Sequence, residues 1–238
     1  MTALARPSAR LEHRLTLPTA SMTDLHIAVA LAVKHDLAVL TVSPWLVGAA
    51  RASLGRAGTR LATVTGAGHG GQIGAVKAYE ASRALEHGAR IIECVLNAGA
   101  LLSGDDETVV RDLGSVIEMA HAALAEAGVV LEVQALPIEV LRHACRLAER
   151  VGADFVVTSD GEADPERAIL LTAALHDGAS HRMTITAAAR FTEADQLRRA
   201  LAAGANGISA RFSDSLAGEA QAMQPVAVGA GEVQRGRR

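Results

Sequence analysis

The chain has 238 residues, half of them apolar, 21% charged and 2% aromatic, with a net charge of −3. That length suits a single α/β barrel, and the apolar share is ample for a packed core and argues against disorder. With no basic excess to neutralise phosphates and few rings to stack on bases, a nucleic-acid partner is excluded.

Cys94 and Cys145 lie inside apolar segments without CxxC or metal-ligand spacing, and read as buried free thiols of a reducing cytoplasm. The N-terminal stretch MTALARPSARLEH lacks a signal-peptide core. No run approaches the roughly 18 apolar residues of a membrane span, so the expectation is a cytoplasmic protein with no membrane partner. The glycine- and arginine-rich end GAGEVQRGRR reads as a solvated tail. The expected organisation is a short flexible N-terminus (1–10), a barrel domain (11–217) and a C-terminal tail (218–238).

Taken in chain order, short β-rich runs alternate with helical, alanine- and leucine-rich stretches. The predicted strands cover 11–17, 37–43, 60–66, 90–97, 129–136, 154–160, 182–188 and 207–211. Between them lie predicted helices such as TDLHIAVALAVKH, IGAVKAYEASRALEHG, DETVVRDLGSVIEMAHAALAEAG, PIEVLRHACRLAERVG and TEADQLRRALAAG. Several of these end on a glycine just before the next strand, the expected left-handed helix stop. Thr23-Asp24, Asp105-Asp106 and Thr192-Glu193 supply caps or first-turn acids. Strict alternation implies a parallel sheet with right-handed crossovers. Eight units close most economically into a (β/α)8 TIM barrel, with a doubly wound open sheet as the alternative. Barrel chemistry sits at the C-terminal strand ends, which directs attention to His13, Arg14, Ser43, His69, Glu93, Asn97, Glu132, Asp160, Arg190 and Arg211.

Read in order, LEHRLTLP, TVTGAGHGG, VKAYEASRALEHGARIIECVLNAGALLSGD, LEVQAL, GADFVVTSDG and AAARFTEADQLRRALAAGANGIS resemble the deoxyribose-phosphate aldolase family over about 200 of the 238 residues. The resemblance implies a class I aldolase barrel, with dimerisation, in which a sixth-strand lysine forms a Schiff base with an aldehyde. That lysine falls on Val157, the family's fourth-strand aspartate on Glu93, and its seventh-strand lysine near Thr184. The Gly-Gly turn that helps to hold phosphate falls on Ala187-Ala188, and the late phosphate-binding serines fall near Arg211-Phe212. His13 and Arg14 follow the first-strand Asp-His-Thr pattern, with Glu12 at the aspartate.

An imine needs a primary amine that is partly neutral at working pH. The chain has two lysines, Lys34 and Lys77, both on predicted helices outside the lumen, where solvated roles are expected. An aldolase without a Schiff base is therefore the expectation, and no cofactor is called for. Replacing Gly-Gly by Ala-Ala weakens phosphate binding, because close backbone approach tolerates no Cβ. Arg190 and Arg211 remain able to hold a carboxylate by bidentate hydrogen bonds.

Glu93 and Glu132 fall on adjacent strands at positions that should both point inward, about 5–6 Å apart at their Cβ atoms. Two such carboxylates raise one another's pKa and make an acid beside a base. The alternative is that Arg14 or Arg190 neutralises each in a structural network. A metal held by both with His13 or His69 is a third reading, unsupported by any HxH, HxxxH or DxD spacing. His69, in the loop GAGHGGQ, is either solvated or an acid, base or substrate contact, and Asp160 is either a turn cap or a lumen acid. Ser159 lacks a nucleophile-elbow context.

Two function readings follow. One is a lysine-independent lyase, cyclase or isomerase that moves protons beside the carbonyl of a small substrate through Glu93, Glu132, His69 and Asp160. In this reading His13, Arg14, Asn97, Thr158, Ser159, Arg190 and Arg211 bind the substrate, and the pathway is a specialised biosynthetic one. The other is an inactive pseudo-aldolase that serves as a ligand-binding or partner subunit.

Overall fold

Alternation along the short strands decides which side chains enter the barrel and which face the helices. The computed structural model describes residues 10–132, 135–177 and 183–223. Its strands are β1 (Arg10–Leu15), β2 (Val39–Val42), β3 (Arg60–Thr65), β4 (Ile91–Val95), β5 (Glu126–Glu132), β6 (Phe155–Ser159), β7 (Thr184–Ala188) and β8 (Gly207–Ala210). All pair in parallel, each with its sequence neighbour, and β8 closes on β1. The expected (β/α)8 TIM barrel is the fold observed.

The helices are α1 (Met22–Lys34), α2 (Val47–Leu54), α3 (Gly74–Glu86), α4 (Ala98–Leu102), α5 (Asp106–Ala122), α6 (Ile138–Arg150), α7 (Pro165–His176), α8 (Ala194–Ala202) and α9 (Asp214–Ala222). Their starts follow capping chemistry. Ser21 and Asp24 form a capping box on α1, Asp105 accepts from Thr108 N on α5, and Asp164 followed by Pro165 opens α7. Helix α9 runs through the expected domain end at 217 and buries Ala217 and Ala220 against the barrel wall. No helix among the described residues is long and apolar enough to cross a membrane.

Two layers of core result. Outward-facing residues such as Leu40, Ile92, Val129 and Val156 pack under the helices, while Val39, Ala62, Val64, Ile91, Val95, Val130, Phe155, Val157 and Ala188 fill the lumen. Large and small residues interlock there. A Cβ at Gly128 would lie 2.3 Å from the ring of Phe155 on the adjoining strand.

Of the predicted boundaries, the end of α5 shifts most. Helix α5 stops at Ala122, and the residues Glu126–Gly128 expected to end it begin β5 instead. Its stop uses Leu124 in the left-handed region (φ 56°), with Ala125 N donating to Ala120 O. That conformation usually belongs to glycine, so the first glycine downstream, Gly128, marks the wrong place.

The solvated role expected of Lys77 also fails. Its side chain is wholly buried between α3, α5 and the outer side of β4, donating to Val95 O (2.9 Å) and to Asp112 Oδ2 (2.5 Å). Lys34 is the exposed one, paired with Asp214.

Candidate active site

The first strand supplies the centre of the site. Residues at alternate positions share a face, so Arg10, Glu12 and Arg14 all project into the lumen while Leu11, His13 and Leu15 face the helices. Glu12 Oε1 accepts from Arg14 Nη2 (2.8 Å), Thr41 Oγ1 (2.8 Å) and Ser209 Oγ (2.6 Å). Across the barrel, Glu93 Oε2 accepts from the same Arg14 Nη2 at 2.6 Å, and Arg14 Nε donates to Ser209 Oγ. One guanidinium thus serves two carboxylates, all buried.

Three atoms of this cluster have no hydrogen-bond partner: Glu12 Oε2, Glu93 Oε1 and Arg14 Nη1. Burial pushes Glu93 up to about 7, with Arg14 opposing and the Glu12 charge adding to the rise. Burial pushes Glu12 upward as well, but Arg14, Arg10 and the hydroxyls of Ser209 and Thr41 outweigh it and hold that carboxyl below its ordinary range. The cluster therefore pairs a fixed carboxylate with one that exchanges its proton near neutrality.

Glu93 and Glu132 are not the pair expected. Glu93 stands opposite Gly128, whereas Glu132 stands opposite Ser159. Four residues at about 3.3 Å each separate the two by roughly 13 Å along β5. Glu132 is instead clamped by Arg167 of α7, which donates from Nε (3.2 Å) and Nη2 (2.7 Å). The alternative of arginine-neutralised glutamates matches the geometry, with Arg14 on Glu93 and Arg167, not Arg190, on Glu132.

Above the cluster lies a cavity of about 390 Å³, lined in part by Glu132, Ser159, Asp160, Glu162, Asp164 and Arg167. Its four carboxylates face one guanidinium, which is already engaged. Ser159 points inward, donating to Ala188 O and accepting from Gly161 N. Thr158, its neighbour, points outward and bonds the Ala188 backbone. Asp160 is half-buried, accepts from Glu162 N as a turn cap, and lies near enough to Arg14 to favour its charged form.

The remaining expected residues lie away from the cluster. His13 is buried under the helices with Nδ1 unpartnered, and burial, helped by the Arg211 charge, pushes it down to about 4. Since neighbours on a strand face opposite ways, His13 and Arg14 do not both reach the lumen. His69 is exposed, its Nδ1 accepting from Gly71 N within the loop. Asn97 caps α4 through Ala100 N. Arg190 and Arg211 are exposed just beyond β7 and β8. Ala187 and Ala188, at the Gly-Gly position, are fully buried, and Thr184 is exposed at the opposite end of β7. No three His, Cys, Asp or Glu residues among those described are placed to hold a metal ion.

Sequence reasoning missed Arg167 and underrated Glu12. Glu12 was accessible through its two-residue spacing from Arg14, whereas nothing local marks Arg167, which arrives from a helix.

No protein-family model matches the chain. Among curated proteins, deoxyribose-phosphate aldolase 1 of Cutibacterium acnes is 35% identical over 154 residues, covering 65% of this chain and 70% of that one. The deoxyribose-phosphate aldolase of Mycobacterium tuberculosis is 38% identical over 161 residues, covering 66% and 70%. Among solved structures, the tetrameric deoxyribose phosphate aldolase of Aeropyrum pernix superposes with a TM-score of 0.77 at 24% identity, over 90% of this chain and 89% of that one. The aldolase QR15 gives 0.79 at 23% identity, over 91% and 96%. With its ordered motifs, its closed eight-stranded barrel and this degree of identity to curated aldolases, the chain belongs to the deoxyribose-phosphate aldolase family.

Proposed function

We propose that the protein is a carbon–carbon lyase, or an enzyme of related carbonyl chemistry, that moves protons by carboxylate catalysis and not through a lysine imine. The observation that carries this reading is the Arg14–Glu93 pair, in which an unclaimed acceptor, Glu93 Oε1, and an unclaimed donor, Arg14 Nη1, belong to two groups bonded to each other. A base that ionises near neutrality can remove a proton beside a carbonyl, while an adjacent guanidinium donor stabilises the oxyanion that develops. Glu12 keeps Arg14 oriented and charged.

Two further features support it. Val157 packs in the apolar lumen layer, and Lys77 is enclosed on the outer side of the wall. The acidic lining of the mouth repels a phosphate dianion, so the substrate is a small unphosphorylated carbonyl compound. Self-association as a homodimer belongs to the same reading. It is supported by exposed Ile73, Val76 and Tyr79, spaced three apart at and just beyond the start of α3, where no apolar stripe was expected.

The test is α-proton exchange of small aldehydes and ketones in D2O, followed by NMR, beside borohydride trapping read by intact mass. Exchange that E93Q lowers by roughly 10²–10⁴-fold, with no trapped adduct, is expected. A stable adduct on Lys77 or Lys34 would overturn the reading.

A further inference from the structure

Ser209 of β8 is the smallest polar side chain of the lumen cluster, and the way it is bonded sets it apart. It is fully buried and stands opposite Glu12 across the β1–β8 ladder. Arg14 Nε can only donate, so at 2.9 Å the Ser209 oxygen must accept, and its single proton is left for Glu12 Oε1 at 2.6 Å. The hydroxyl therefore joins the cation to the carboxylate with its direction fixed.

Among the described residues the Arg14 side chain makes three hydrogen bonds. Two leave from one atom, Nη2, to Glu12 Oε1 and Glu93 Oε2, and Nη1 makes none. Contacts at a single nitrogen let a planar guanidinium pivot about that point. The bond from Nε to Ser209 is the second anchor, and two anchors on one edge of the plane stop the pivot. The two glutamates also differ in what they receive. Glu12 Oε1 collects three donors, Arg14 Nη2, Thr41 Oγ1 and Ser209 Oγ, whereas the Glu93 carboxyl accepts only from Arg14 among the described residues. Hydrogen-bond donors favour the charged form, so the charge settles on Glu12 and the exchangeable proton on Glu93.

We propose that Ser209 is a positioning residue for proton transfer: by bridging Arg14 Nε and Glu12 Oε1 it holds Nη2 against Glu93 and confines the exchangeable proton to that carboxyl. The kinetic consequence rests on the proposed function, while the positioning itself does not. The charges that act on Glu93 are Arg14, Glu12 and Arg10, all on β1, and its neighbours in register on β3 and β5, Val64 and Gly128, carry none. Asp160, beyond β6, acts through Arg14. Without the Ser209 hydroxyl the guanidinium swings away from Glu93, whose proton is then held more tightly.

The test is a carbon NMR titration of the Glu93 carboxyl in the full chain, run in wild type, S209A and T41V, beside kcat/KM for α-proton exchange against pH. S209A is expected to raise the Glu93 midpoint by roughly 1, a tenfold tighter hold on the proton, and the kinetic midpoint should follow it. T41V takes a hydroxyl from Glu12 but none from Arg14, and should move the midpoint less. An unmoved midpoint in S209A, or an equal movement in T41V, overturns the role of Ser209 and leaves the proposed function standing. A wild type with no exchange overturns the proposed function, and the carboxyl titration then decides on Ser209 alone.

Discussion

Arg14 reaches across the barrel to Glu93, placing Nη2 2.6 Å from Oε2 while the same nitrogen holds Glu12 at 2.8 Å. On the proposed function, proton transfer requires ionised Glu93, so kcat/KM for α-proton exchange is expected to rise with pH through about 7. Glu93→Gln should lower it by roughly 10²–10⁴-fold, the usual contribution of a general base. A flat profile in wild type, or an unchanged rate in E93Q, would remove Glu93 from the mechanism.

The same arginine is structurally exposed to loss. Arg14→Met leaves two buried carboxylates facing one another with only the charge of Arg10 nearby and no bonded cation, and breaking a buried ion pair from one side costs about 3–5 kcal/mol. Denaturant unfolding of R14M beside the triple variant E12Q/R14M/E93Q checks this. The triple variant should be the more stable of the two, because it buries no unpaired charge.

Stability should tilt with pH in opposite senses at two buried groups. Glu93 titrates at about 7 in the fold against an ordinary value of 4.5, so it is protonated more readily when folded. Its contribution is complete below about 4.5 and is lost as pH rises through 7. His13 behaves the other way, at about 4 against 6.5, so its contribution is present above 6.5 and is lost as pH falls through 4. Between pH 4.5 and 6.5 the two slopes oppose and wild type should be nearly flat. E93Q should then gain stability with rising pH and His13→Gln should lose it. Parallel slopes in the two variants contradict this assignment.

Gly161 lies at φ 96°, and a Cβ there would come within 2.5 Å of Arg14 Cδ. Gly161→Ala therefore adds backbone strain of about 1–3 kcal/mol and presses Arg14 away from Glu93. Unfolding should show the loss in stability. The apparent pKa of Glu93, read from the exchange profile, should move upward as its cation retreats, and a pKa that stays put while stability falls would show that Arg14 does not move.

The Lys77–Asp112 pair invites a cycle of variants. Lys77→Met should cost about 3–5 kcal/mol by stranding a buried carboxylate, while the double variant with Asp112→Leu should recover much of that loss. Additive losses would mean that the two side chains do not depend on each other.

The fold was legible because every strand is a short apolar run beside a polar turn, and eight in succession leave few topologies. The site was legible only in pieces. Alternation alone places Glu12 and Arg14 on one face and separates His13 from Arg14 and Thr158 from Ser159. Which carboxylates meet depends on register between strands, and register was lost where α5 ends on left-handed Leu124 instead of a glycine. With β5 starting at Glu126, Gly128 and not Glu132 stands beside Glu93. Arg167 was invisible for another reason: a helix residue enters the mouth through tertiary packing that no local pattern records.

The ring of Phe155 and the bare backbone of Gly128 constrain how this barrel can change. A side chain at 128 has no room while the phenyl ring is present, and shrinking 155 alone opens a void beneath the polar cluster and removes the surface over which Arg10 lies. The two positions can be exchanged only together, large for small. A library that varies either one alone should return mostly failures, whereas paired substitution should recover folded barrels with a reshaped floor.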